Sequence, residues 1–187
     1  AMKTVGSAMI EVGKQAVSGF GEFEQLEGGV QKLFGDDVKD TVIKNANDAF
    51  KTAGMSANEY METVTGFSKS MIVSLNGDTK KAAELSDQAL RDMSDNANTF
   101  GTDMQSIQNA YSGFAKGQFN MLDNLKLGYG GTKTEMERLL KDAEKLSGKK
   151  YNVSNFADIT EAIHQIQVAS NIAVSYTHLT LPTILRV

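Results

Sequence analysis

The stretch AAELSDQALRDMSDNANTF, residues 82–100, carries the pattern that decides the fold of this chain. Its apolar residues recur every three or four positions, which places them on one face of an α-helix and not on one face of a strand. They are Ala82, Leu85, Ala89, Met93, Ala97 and Phe100. We therefore predict an amphipathic helix here.

Six further apolar stripes with helical spacing lie on both sides of this stretch. They cover residues 5–16, 38–53, 60–75, 104–114, 136–146 and 156–166. In the second stripe, Ile43 and Phe50 are expected to widen the buried face of the helix. The one proline, Pro182, follows all of the stripes, so the strongest helix breaker interrupts none of them. The sequence predicts an all-α fold, an array or bundle of six to eight short amphipathic helices with Gly-rich turns.

Helix starts are marked by short polar motifs. Residues 56–59 (SANE), 102–105 (TDMQ) and 132–135 (TKTE) match the capping box. In that motif the first side chain accepts a hydrogen bond from a free backbone amide, and the last side chain binds the amide of the capping residue. Asp78, which follows the turn residues Asn76 and Gly77, is a further N-cap candidate.

Residues 117–131 combine apolar side chains with four glycines, and we predict a buried connection containing a short helical turn. The end of this segment, residues 128–133 (GYGGTK), is superficially similar to a phosphate-binding loop. It lacks both the Walker spacing and the third glycine of the dinucleotide-binding motif, and no predicted strand precedes it. A tight turn followed by a helix cap is the prediction.

Three regions follow from this organisation. Residues 1–35 form a Gly-rich helical N-terminal segment, and residues 36–172 form the helical core module. Residues 173–187, AVSYTHLTLPTILRV, carry one charged residue and the only proline, and they resemble the translation of a sequencing adaptor at the end of a metagenomic sequence. We predict that this tail is not native. The opening Ala1-Met2, already in helical periodicity, is expected to be an internal cut.

Composition restricts the classes of function. The 187 residues carry a net charge of −4, and their Lys and Arg residues are not clustered, so we predict no direct nucleic-acid site in this segment. Absence of cysteine excludes disulfides, thiolate nucleophiles and Cys-ligated metals. No apolar run reaches the roughly 20 residues that span a bilayer, so membrane contact is not evident.

The residues that could support catalysis are few. His164 and His178 are the only histidines, and His178 lies in the adaptor-like tail. Because a catalytic triad needs a histidine beside a nucleophile, one usable histidine and no cysteine argue against this chemistry. We expect His164 to lie at the edge of an apolar stripe, hydrogen-bonded to solvent or backbone.

Two pairs of carboxylates three residues apart, Glu59 with Glu62 and Asp92 with Asp95, have the spacing for a cation or for glycoside hydrolysis. We interpret both pairs as solvated helix faces. No catalytic, cofactor-binding or metal-binding residue is therefore predicted, and no cofactor.

Eight segments together resemble the tail tape measure proteins of siphophages and related prophages of Gram-positive bacteria. The likeness covers roughly residues 19–168, in order and without large gaps. The segments are residues 20–24 (FGEFE), 41–47 (TVIKNAN), 54–61 (GMSANEYM), 92–98 (DMSDNAN), 107–116 (IQNAYSGFAK), 121–132 (MLDNLKLGYGGT), 142–148 (DAEKLSG) and 162–167 (AIHQIQ).

The resemblance implies a helical structural protein in the lumen of the growing tail tube, which sets tail length by its own length. It implies the tail tube protein, tail assembly chaperones and baseplate proteins as partners, with self-association in the tail lumen. The implied location is the virion tail, and the host cytoplasm during assembly. Since the glycine turns oppose one rigid rod, we expect a compact folding or docking module rather than the ruler itself. Two alternatives stay open: a module associated with a peptidoglycan hydrolase, and a secreted helical interaction module.

Overall fold

The computed structural model describes residues 21–172, which fold as an all-α structure, as the apolar spacing predicts. No strand occurs within this range. The first predicted stripe, the Ala1-Met2 opening and the tail of residues 173–187 lie outside it. The described helices are α1 (from residue 21 to 34), α2 (Asp36–Thr52), α3 (Ala57–Ser74), α4 (Thr79–Phe100), α5 (Met104–Phe114), α6 (Lys133–Ser147) and α7 (Phe156–Ala169), with a 3-10 turn at Leu122–Leu125.

Three helices begin at the predicted capping residues, which are Ser56 for α3, Asp78 for α4 and Thr132 for α6. In each case the side-chain oxygen accepts a hydrogen bond from the backbone N–H three residues later, at 3.2, 2.9 and 3.2 Å respectively. The α6 motif departs from the full capping box, because Glu135 Oε2 accepts from the N–H of Gly130 at 3.0 Å. The glutamate thereby fixes the preceding glycine turn.

The predicted cap of α5 is wrong by one residue. The capping side chain is Asp103, whose Oδ2 accepts from the N–H of Ser106 at 2.9 Å, and Thr102 lies outside the helix. A carboxylate is the stronger acceptor, and its negative charge is favoured by the positive end of the helix dipole. The neighbouring aspartate therefore takes the place of the threonine.

Helix α4 occupies the centre of the module and packs against α2, α3, α5 and α7. The predicted stripes within the described range supply most of the core around it, with the side chains of Met71, Met93 and Met136 fully buried. Phe100, at the end of the α4 stripe, is instead 41% exposed. Phe50 was expected to widen the buried face of α2, but it is 78% exposed. It follows the buried Ala49 by one residue, a rotation of about 100°, which turns it away from α3 and α4.

The segment between α5 and α6 contains the short helical turn that its composition predicts, but it is buried only at the side chains of Phe119, Leu122 and Leu125. Leu122 and Leu125 of the 3-10 turn are fully buried, and Asn96 Nδ2 in α4 donates to the carbonyl oxygen of Leu125 at 2.8 Å. The chain then passes itself closely, since a Cβ at Gly131 would lie 2.4 Å from the carbonyl oxygen of Asn120. Only glycine fits at this position, because any Cβ would collide with the backbone of Asn120.

Helices α6 and α7 form a hairpin, and α7 attaches this hairpin to α3 and α4. At the start of α7, Asn155 Nδ2 donates to the carbonyl oxygen of Ser74 at 2.9 Å, and the N–H of Phe156 donates to Ser74 Oγ at 3.1 Å. Ser74 ends α3 just before α4 begins. Because α7 starts beside the start of α4 and meets its middle further along, the two helices run in the same direction.

Candidate functional site

The interior of the module holds a set of polar side chains on α4. The prediction that Asp92 and Asp95 lie on a solvated face is wrong, because they are 2% and 8% exposed. Helical periodicity identifies one apolar face of α4, but four helices surround it and cover its polar positions as well. The buried polar residues of α4 are Ser86, Asp87, Asp92, Ser94, Asp95 and Asn96.

Asp92 faces His164 of α7. His164 Nδ1 lies 3.0 and 3.1 Å from the two carboxylate oxygens, so the predicted bond of this histidine to solvent or backbone is wrong. The hydrogen bond to Asp92 raises the pKa of His164 above its usual value. Burial raises the pKa of Asp92 and outweighs the lowering effect of the histidine. Protonated His164 therefore provides the charge that a buried Asp92 carboxylate needs.

A second buried contact lies one turn earlier on α4. The hydroxyl of Tyr60 in α3 donates to Asp87 Oδ1 at 2.8 Å, and Arg91 Nη2 lies 2.6 Å from Asp87 Oδ2. Burial, followed by the charge of Asp87, raises the pKa of Tyr60 strongly. The phenol stays neutral and acts as a hydrogen-bond donor that joins α3 to α4.

Several buried polar atoms have no hydrogen-bond partner among residues 21–172. They are the hydroxyl oxygens of Ser86 and Tyr111, Oδ1 of Asn96, and both amide atoms of Gln167. Burial is the main cause that raises the pKa of Tyr111, and the nearby charge of Asp92 adds to it. A buried polar atom without a partner costs about 1–3 kcal/mol. These unpaired atoms of α4, α5 and α7 therefore lower the stability of the folded module.

The chemistry available to the Asp92–His164 pair is limited. The pair resembles two members of a catalytic triad, in which a carboxylate orients the histidine. Within the described range, His164 Nε2 has no hydrogen bond to a hydroxyl group that could act as the nucleophile. The same range contains no group of three or more His, Asp or Glu side chains placed to hold a metal ion. What the pair does in this structure is to join α4 to α7.

The other sequence candidates lie apart from this interior. Glu59 and Glu62 are exposed on α3, which confirms their interpretation as a solvated face. Residues 128–132 form a turn in which Gly128 has a positive φ of 83°, and Thr132 caps the helix that begins at Lys133, as predicted. Among residues 21–172, we find no helix with the length and apolarity needed to cross a membrane.

Comparison of the chain with protein-family models, with curated proteins and with solved structures finds no match in any of the three. A functional assignment therefore depends on the sequence resemblance and on the physical properties of the module.

Proposed function

We propose that this chain is part of a phage tail tape measure protein, with a structural role in tail tube assembly and in tail-length determination, and that it is not an enzyme. The observation that carries the proposal is the ordered resemblance over roughly residues 19–168, which spans nearly all of the described helices. The proposed partners are the tail tube protein, the tail assembly chaperones and the baseplate proteins. The proposed location is the virion tail, after assembly in the host cytoplasm.

The folded module fits a docking role better than a measuring role. Residues 36–172 drawn out as one helix would reach about 205 Å. Among residues 21–172 the longest helix is α4, whose 22 residues reach about 33 Å. Gly54, Gly77 and Gly101 lie with positive φ in the turns between consecutive helices. Because it folds into short helices, this segment is much shorter than one continuous helix of the same number of residues. We propose that helical segments elsewhere in the protein do most of the measuring.

Genomic context tests the assignment to a tape measure protein, and electron microscopy of tails tests the docking role of the module. The assignment predicts a reading frame far longer than 187 codons, with tail tube and chaperone genes beside it. A frame outside any tail gene cluster would refute it. In a phage that carries the gene, in-frame deletion of codons 36–172 is expected either to block tail formation or to shorten tails by much less than about 205 Å.

The matched control is a deletion of the same number of codons from a predicted continuous helix of the same gene. It is expected to shorten tails by about 1.5 Å per residue. If deletion of codons 36–172 shortened tails by that same amount, the module would be part of the ruler, and the docking role would be refuted while the assignment to a tape measure protein would stand.

A further inference from the structure

The α6–α7 hairpin is connected to the rest of the module in an asymmetric way. Within residues 21–172, α6 packs chiefly on α7, and only α7 packs against α3 and α4. The remaining links of α6 go to the preceding loop, where Tyr129 donates to Asp142 and Arg138 donates to the carbonyl oxygen of Gly128. The hairpin could therefore separate from α4 without losing its own internal packing.

The contact between α4 and α7 is polar at its centre. Asp92 and His164 meet near the middle of the two helices. Since the helices run in the same direction, Gln167 lies about one turn beyond His164, as Asn96 lies one turn beyond Asp92. Both amide atoms of Gln167 and Oδ1 of Asn96 have no partner within the described residues. Water would hydrogen-bond any of these atoms that separation of α7 exposes.

The charge on His164 opposes this separation. Asp92 is the more deeply buried member, with its side chain 3% exposed against 26% for His164. The other groups that act on the pair are Arg91 of α4, which favours the Asp92 carboxylate, Glu161 of α7, which favours the charged histidine, and the neutral Tyr111 of α5. With His164 neutral, Asp92 would keep its hydrogen bond but lose the balancing charge of its only partner on α7.

We propose that the α6–α7 hairpin is a hinged unit that the protonated Asp92–His164 pair holds against α4, and that it opens when His164 loses its proton. This inference stands independently of any role in a phage tail. The direction of the pH effect follows from His164, because its pKa is raised in the folded state. The stabilisation is complete below the usual pKa of about 6.5 and is lost as the pH rises through the raised value.

Hydrogen exchange measured by mass spectrometry at about pH 6 and about pH 9 tests the proposal, since histidine titrates in this range. The full chain carries His178→Asn, so that His164 is the one histidine left. Protection factors, corrected for the intrinsic effect of pH on exchange, are compared for α6–α7 and for α3. We expect protection of α6–α7 to fall by about tenfold between the two pH values, with α3 nearly unchanged.

Three variants complete the experiment. Asp92→Asn removes the buried charge and is expected to abolish the fall in protection at high pH. His164→Gln, at a half-buried position, serves if Asp92→Asn does not fold, and it is expected to show low protection of α6–α7 at both pH values because residue 164 carries no charge at either. Asp142→Asn, the same change at a partly exposed carboxylate of α6 that does not contact α7 residue His164, is expected to keep the fall. Equal loss of protection in α3 and α7, no fall at all on raising the pH, or an undiminished fall between about pH 6 and about pH 9 in a folded Asp92→Asn or His164→Gln protein would overturn the proposal.

Discussion

Deleting the hydroxyl group from Tyr60 and from Tyr111 is the same chemical change at two buried rings, which are 1% and 0% exposed. The Tyr60 hydroxyl donates to the Asp87 carboxylate at 2.8 Å, whereas the Tyr111 hydroxyl has no partner within residues 21–172. A hydrogen bond to a charged group stabilises a protein by about 1.5–3 kcal/mol, and a buried unpaired polar group costs about 1–3 kcal/mol. Tyr60→Phe should therefore destabilise the fold by about 2 kcal/mol, and Tyr111→Phe should be neutral or stabilising.

Urea denaturation followed by circular dichroism measures both changes. With a slope near 2 kcal/mol/M, a loss of about 2 kcal/mol lowers the midpoint by about 1 M. We expect this shift for Tyr60→Phe, and an unchanged or higher midpoint for Tyr111→Phe. Tyr151→Phe is the matched control, because its hydroxyl bonds Ser147 Oγ at an exposed position and should matter by less than about 0.5 kcal/mol.

The reasoning would be refuted by a Tyr111→Phe protein that loses as much stability as Tyr60→Phe. Such a result would mean that the Tyr111 hydroxyl gains a full hydrogen bond in solution, and that the contact around Asp92 is not weakened by unpaired groups. A Tyr60→Phe protein as stable as the parent would instead show that Arg91 alone satisfies Asp87.

Two further pairs of variants test local features of the fold. Gly131→Ala should destabilise the module by about 1–3 kcal/mol in the same assay, because its Cβ would collide with the backbone of Asn120. Gly130→Ala, whose Cβ would meet only the flexible Glu135 side chain at 3.5 Å, should change stability by less than about 1 kcal/mol, and equal losses would contradict the steric account. Asp103→Ala should cost about 0.5–2 kcal/mol through loss of the α5 cap. Thr102→Ala should cost less than about 0.5 kcal/mol, and the reverse order would restore the threonine as the cap.

The helices and most of the core follow from the sequence because helix formation and one-sided burial are local properties. The spacing of Val64, Phe67 and Met71 predicts a buried face of α3, and these residues are buried. Ser56 and Thr132 mark helix starts because the amide that each one caps lies three residues away. Such signals need no knowledge of the tertiary structure.

The interior polar contacts do not follow from the sequence because they join distant positions. His164 lies 72 residues after Asp92, and nothing local to either residue indicates the other. Asp92 is buried because several helices surround α4, and the periodicity of the α4 sequence gives no information about the number of neighbouring helices. Phe50 is the opposite case, an apolar residue that is exposed. Helix α2 packs against α3 and α4 through the face that carries Ala46 and Ala49, and Phe50 lies off that face.

The hydrogen bonds between Ser74 and residues 155 and 156 can form only late in the synthesis of the chain. Both bonds join the end of α3 to chain that is translated about eighty residues later, a delay of about 4–16 s at ordinary elongation rates. During that interval the nascent chain lacks Phe156, whose ring later makes an edge-to-face contact with the ring of Phe67. Ribosomes stalled before codon 155 would therefore hold a chain with this aromatic surface uncovered, the kind of surface that general chaperones recognise.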